Sequence, residues 1–306
     1  MILFMINIHR HLKFLICLMF YTSSLYSKTS FPGADTFSST VHLSMGGAGY
    51  LKPSLSNFNV NPSIFGGKIF SASIIKYPAS IVSQNIGITL PIINNGFSSF
   101  SINHISYGTF DGYTEDFEPT GSYSSSDTRI SGSYGRTFSK IPLRIGIRSN
   151  YYLLKYGNQR FRMLSLGIGS AISSKKQDII LGFSIHDVII SLSENKVDLS
   201  PQFVLSGSKK LKYLPLELYL DLTSKDQSSQ TLFFGGEFDL GSSFKFRFGS
   251  STRKFNQNIE KDLFSSIVGA SGLGFGYKSQ NIFFNYGVYM FGTGALAQGI
   301  EIAISL

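Results

Sequence analysis

The chain has 306 residues; 42% are hydrophobic and only 15% charged, with 31 Gly, 28 Phe, 16 Tyr and no Trp. Lys and Arg number 27 against 18 Asp and Glu, a net of +9, but they form no dense cluster on a recognisable binding module, which argues against nucleic acid as a partner. The single cysteine, Cys17, lies so near the start that the rest of the chain offers no thiol for a disulfide, a thiolate zinc site or a cysteine nucleophile.

Residues 1–27 read as a targeting segment. Arg10, His11 and Lys13 make a positive region ahead of the apolar run Phe14, Leu15, Ile16, Cys17, Leu18, Met19, Phe20 and Tyr21, which small polar Thr22, Ser23 and Ser24 follow. That is the layout of a secretory signal peptide, with the cut expected between Ser24 and Lys28. The apolar run is too short for a helix that needs roughly 20 residues to span a bilayer. Removing Arg10 and Lys13 lowers the net charge from +9 to +7.

Residues 28–67 lack the alternation found further on. They hold Met45, Gly46, Gly47 and Gly49, then Asn61, Pro62 and Ser63. Glycine permits positive φ and close packing, and proline fixes its own backbone, so a compact, turn-rich plug ahead of the first strand is expected. A phosphate loop is not, because neither GxGxxG nor a Lys-Ser/Thr pair is present.

Residues 68–306 alternate apolar with small or polar residues in segments of the length a tilted transmembrane strand requires. The expected strands are 68–76, 83–92, 96–106, 128–138, 142–155, 160–172, 178–186, 201–208, 214–223, 231–240, 244–251, 263–277, 281–290 and 298–306. The reading is all-β: an outer-membrane barrel of about 14 antiparallel strands, with the first pairing the last. Every second connection is short, whereas 107–127, 187–200 and 252–262 are longer, the asymmetry of periplasmic turns and outside loops. If the termini are periplasmic, Lys140, Lys175, Lys176, Lys209, Lys210, Lys212 and Lys278 sit on a basic lower rim that reads as a solvated face or as a contact for acidic groups.

Period two sorts the faces. Leu214, Leu216, Leu218, Leu220 and Leu222 face lipid, with Glu217, Tyr219 and Asp221 inside. Leu232, Phe234, Phe238, Leu240, Phe244, Phe246 and Phe248 face out, with Glu237, Asp239, Lys245 and Arg247 inside. Arg144 and Arg148 add to the lumen, and Ile300, Ile302 and Ile304 flank an inward Glu301. Charges of both signs thus converge on one interior, to be read either as mutual ion pairing or as a selective polar pore.

Several stretches resemble the PorV/PorQ family. Ser44-Met45-Gly46-Gly47-Ala48 followed by Asn61-Pro62-Ser63 is similar to its Met-Gly-Gly-Ala and Asn-Pro-Ala motifs. Ile105-Ser106-Tyr107-Gly108-Thr109-Phe110, Gly121-Ser122-Tyr123, and Leu205-Ser206-Gly207-Ser208-Lys209-Lys210-Leu211 with Leu214-Pro215-Leu216 resemble the PorQ branch. The resemblance implies a FadL-like barrel of fourteen strands with a role in type IX secretion. It would dock a cell-surface attachment or sortase component, with anionic lipopolysaccharide nearby and outer-membrane lipid around it.

Loops on a rigid scaffold commonly carry binding. The 107–127 connection mixes aromatics (Tyr107, Phe110, Tyr113, Phe117) with acids (Asp111, Glu115, Asp116, Glu118), a composition that suits a protein interface and equally a solvated loop resting on the rim. Its acids lack EF-hand spacing. A second loop candidate holds Val188, Ile189 and Ile190, which also read as a strand end. His186 stands beside Asp187, but no GxSxG or HExxH pattern accompanies them, so neither an enzyme nor a cofactor is expected. The competing function is transport of hydrophobic small molecules in the manner of FadL, which the inward charges oppose unless a pocket lies near His42, Phe58 or the plug.

Overall fold

The computed structural model describes residues 37–54, 60–92, 96–114, 116–138, 141–174, 176, 178–192, 200–225, 230–257, 269–291 and 295–306. The targeting segment, Glu115, Phe58, Lys140 and Lys175 lie outside the described residues. Fourteen antiparallel strands close into one barrel. They are β1 (Ile69–Lys76), β2 (Val82–Ile92), β3 (Gly96–Tyr113), β4 (Pro119–Thr137), β5 (Leu143–Tyr156), β6 (Gln159–Ser173) and β7 (Ile179–Leu192). The rest are β8 (Gln202–Lys210), β9 (Leu216–Ser224), β10 (Gln230–Leu240), β11 (Phe244–Ser251), β12 (Ser271–Ser279), β13 (Ile282–Met290) and β14 (Leu296–Ser305). Every strand pairs with its chain neighbours, and β1 meets β14 from Ile69↔Ser305 to Lys76↔Gln298.

Alternation dictates the wall. On β14, Ile300 and Ile302 are 42% and 47% exposed while Glu301 between them is 4% exposed. Leu220, Leu232, Phe234, Phe244, Phe246, Ile168 and Leu273 repeat the outward pattern around the circumference. A continuous apolar exterior with a polar interior is stable only in a bilayer, where closure also satisfies every strand edge.

The strands differ most from the sequence reading at β3, β4 and β7. The connection 107–127 is mostly strand: β3 and β4 pair on through Gly108↔Ser125, Phe110↔Tyr123 and Gly112↔Gly121 to Tyr113↔Pro119. β2 stops pairing with β3 at Ser106, and β5 stops pairing with β4 at Ser125, so residues 108–113 and 119–124 run on as a two-stranded ribbon, touched at its base by Lys155, which donates to the Ser124 hydroxyl at 3.0 Å. Six residues at a strand rise of about 3.4 Å carry its tip roughly 20 Å past the neighbouring strands. β7 likewise runs through Val188, Ile189 and Ile190 to Leu192. β12 begins at Ser271 after a turn at Gly269 and Ala270; residues 263–268 of the expected strand lie outside the described residues.

Residues 37–54 and 60–67 pass through the lumen. They hold a single helical turn, α1 (Thr40–Ser44), whose N-cap Ser39 accepts from the Val41 amide through its hydroxyl. Gly46 and Gly47 follow at φ +63° and +96°, a left-handed backbone that ends the turn and that glycine adopts without penalty. The other helix, α2 (Lys254–Gln257), lies in the connection between β11 and β12.

Candidate functional site

The lumenal segment rests on bare backbone. A Cβ built on Gly249 would lie 1.9 Å from the Met45 carbonyl oxygen, and one on Gly272 2.2 Å from that of Leu43. On the opposite wall, Gly146 would meet the Pro62 carbonyl at 2.0 Å and Gly169 the Asn61 amide oxygen at 2.1 Å. These glycines face inward on β5, β6, β11 and β12, where any side chain would occupy the space the segment fills. Asn61 then ties itself to the wall: Nδ2 donates to the carbonyls of Ser170 (3.0 Å) and Phe183 (3.1 Å), while Oδ1 accepts from the Ser63 amide and hydroxyl. Asp221 accepts from the Gly49 amide at 2.7 Å, and Tyr77 donates to the Phe37 carbonyl at 2.8 Å. Met45, Gly46, Gly47, Asn61 and Pro62, singled out from sequence, therefore all lie at contacts between segment and wall.

The inward charges of β10 and β11 pair with one another. Glu237 is the hub: it binds Arg247 Nε at 2.6 Å, Lys245 Nζ at 2.7 Å and, from the segment, Lys52 Nζ at 2.9 Å. Lys245 also reaches Asp239 at 2.6 Å. Arg247 continues to Asn285 at 2.9 Å, and Asn285 to Glu301 at 3.5 Å; Ser39 donates to the other Glu301 oxygen at 3.1 Å. One polar chain thus runs from Lys52 across β10, β11, β13 and β14 back to the α1 cap. Burial lowers the pKa of Lys52, and the Glu237 carboxylate opposes that shift. Such a network specifies position more than it stabilises, because each charge loses hydration on entering the lumen.

Above and below the segment the lumen differs. At the long-connection end, Phe37, Leu43, Ile75, Tyr289 and Ala297 pack with Tyr77 and Phe291 into an apolar cluster. Phe37 and Tyr289 lie 4.8 Å apart, and Tyr289 and Phe291 5.0 Å apart edge to face. His42 stands beneath it, 5.6 Å from Phe37 and 5.5 Å from Tyr50. Its Nε2 donates to the Gly47 carbonyl, and burial pushes its pKa down to about 4, so the ring is neutral at pH 7. At the short-turn end lies a cavity of about 210 Å³. Val41, Val60, Ile64 and Phe65 of the segment make its ceiling, Ser99, Ser101, Ser131 and Ser133 one wall, and Lys245, Arg247 and Lys278 the other.

A second buried network missed by the sequence reading lines β5 to β7. Asp187 accepts from Tyr152 (2.6 Å), Asn150 (3.1 Å) and Ser165 (3.1 Å). Its φ of +59° falls in a break of the β6–β7 register, a bulge that turns Asp187 to the same side as its neighbour His186. His186 bonds the Ser184 hydroxyl at 2.9 Å. Among the described residues no group of His, Cys, Asp and Glu could hold a metal ion.

The structure divides the aromatic-acidic candidates. Tyr107 donates its hydroxyl to Asp127 at the barrel mouth and so leaves the ribbon. Phe110, Asp111, Tyr113, Asp116, Phe117 and Glu118 stay on the ribbon and its tip. There Thr114 and Glu118 pair at 2.8 Å, and Tyr113 and Phe117 are 61% and 86% exposed. Phe110 stacks on Tyr123 across the ribbon at 5.5 Å.

No family profile matches the sequence, and no curated protein matches it. Solved structures do. The Pseudomonas putida toluene transporter TodX aligns over 88% of this chain and 98% of its own, at 9% identity and a TM-score of 0.55. A deltaS2S3 mutant of TodX, described as a monoaromatic hydrocarbon channel, covers 87% and 98% at 9% identity, with a TM-score of 0.54. A Pseudomonas aeruginosa FadL homologue covers 88% and 97% at 13% identity, with a TM-score of 0.46. The chain therefore has the fold of a TodX-type outer-membrane barrel of fourteen strands.

Proposed function

We propose that the protein is a non-enzymatic outer-membrane barrel of a Gram-negative-type bacterium that admits small hydrophobic molecules, with residues 37–67 acting as its hatch. The observation that carries this reading is the vertical order of the lumen: an aromatic cluster at the long-connection end, the hatch beneath it, and a cavity on the far side. Of the inward charges, which from sequence opposed an apolar route, Lys245 and Arg247 are engaged with Glu237, and Val41, Val60, Ile64 and Phe65 give the cavity an apolar ceiling. The fold shared with channels whose described cargo is toluene and other monoaromatic hydrocarbons adds support. Uptake of labelled toluene and labelled oleate by cells with and without the protein tests it. Faster uptake of either compound with the protein present is expected; equal uptake of both removes the reading.

A second reading is favoured by the ribbon. Its tip carries exposed aromatics among acids, which suits contact with a surface protein, and the resemblance to the PorV/PorQ family suggests a component of type IX secretion, near anionic lipopolysaccharide. Affinity purification from outer membranes should then recover a surface partner with the intact protein and lose it when the ribbon is trimmed.

A further inference from the structure

The outer wall carries a depression that the lumen does not explain. On the lipid-facing side, cross-strand neighbours form the row Arg136–Ile145–Ser170–Phe183 beside the row Tyr134–Ile147–Ile168. Ser170 is the one small side chain in these two rows, and a groove of about 570 Å³ opens where a larger side chain would stand. Its lining is almost wholly apolar: Tyr134, Ile145, Ile147, Ile168 and Phe183. Besides the small Ser170, the polar member is Arg136, at the short-turn end of β4, which points outward, is exposed, and lies 5.9 Å from the Phe138 ring. A guanidinium held at the edge of a hydrocarbon surface, above an apolar channel, offers both halves of a lipid site. Arginine matches phosphate oxygens in a two-pronged geometry, and the groove removes an acyl chain from bulk lipid. Short turns mark the periplasmic side of such barrels, where the leaflet is built of glycerophospholipid rather than lipopolysaccharide.

We propose that this groove is a seat for one glycerophospholipid of the periplasm-facing leaflet, its phosphate on Arg136 and an acyl chain along Ser170. The site is independent of what passes through the lumen. It also lies directly behind the hatch anchor, since the Ser170 and Phe183 carbonyls that Asn61 engages belong to two residues of its lining.

Native mass spectrometry of the full protein in mild detergent tests the proposal. After delipidation the protein is offered phosphatidylglycerol and the diacylglycerol of identical chains in equal amounts. Wild type is expected to retain one phosphatidylglycerol and little diacylglycerol. Arg136→Gln should lower retention at least fivefold, with partial recovery in Arg136→Lys, and Ser170→Phe should lower it as much. Heat-modifiable gel mobility confirms that each barrel is folded; if Ser170→Phe fails to fold, the two Arg136 variants decide. Equal retention of both lipids, or unchanged retention in folded Arg136→Gln, overturns the proposal.

Discussion

His42 shows how a single residue can couple the hatch to its surroundings. The ring is buried between Phe37 and Tyr50, and its pKa falls from 6.5 to about 4. A released hatch would bind a proton near pH 6.5 that the seated hatch refuses until about pH 4. Seating is therefore at full strength above pH 6.5 and weakens as pH falls through that window, by about 2 kcal/mol at pH 5. A spin label at exposed Pro53 should be immobile at pH 7 and markedly more mobile at pH 5, and His42→Gln should flatten the difference. Equal mobility at both pH values in the wild type would count against this coupling. At this scale, legibility depended on periodicity. Glu237, Arg247 and Glu301 were placed inside by simple alternation, and their pairing followed from opposite signs. Asp187 was not, because a bulge shifts the parity and leaves no mark in the sequence. Nor were the inward glycines, since glycine in a strand reads only as a weak position until something is seen pressing on it.

Among the elements, β3 and β4 depart furthest from expectation. Their alternation fades after Ser106, where Gly108, Asp111 and Gly112 are poor strand formers, and a spanning strand needs no more than about 11 residues. The ribbon persists because cross-strand contacts such as Phe110 on Tyr123 sustain pairing beyond the bilayer. Beyond Ser124, which Lys155 of β5 reaches at the base, the ribbon shares no ladder with β2 or β5, so the barrel should not depend on its outer part. Replacing residues 109–122 by a short Asn-Gly turn is expected to change the thermal midpoint by less than about 3 °C, a shift that corresponds to under roughly 1 kcal/mol. A larger fall in a calorimetric scan would mean that the ribbon braces the wall. Turn-bounded strands such as β11 were legible to the residue. The far end of β7 was not, because an apolar run at a strand end looks alike whether or not it pairs.

For the whole molecule, closure and occlusion are separate properties. Closure comes from fourteen paired strands; the proposed occlusion rests on a segment whose seat is built of missing side chains. Gly249→Val places atoms where the Met45 carbonyl lies and should unseat the hatch while leaving the wall hydrogen bonds intact. In planar bilayers the wild type is expected to conduct ions rarely and the variant in frequent, larger steps. Matching conductance from both, with the variant folded, would show that the segment does not block the lumen.

The course of that segment has a further consequence. Phe37 lies against Tyr77 and Tyr289 at one end of the barrel, whereas residue 68 enters β1 at the other. Residues 37–54 and 60–67 therefore run along the bore between its two rims. The seam between β1 and β14 must zip up around polypeptide already inside it, or that polypeptide must be drawn into a finished hole. In either order, ring closure and seating are linked steps of assembly, because a wall strand paired out of register also misplaces the glycines on which the segment rests.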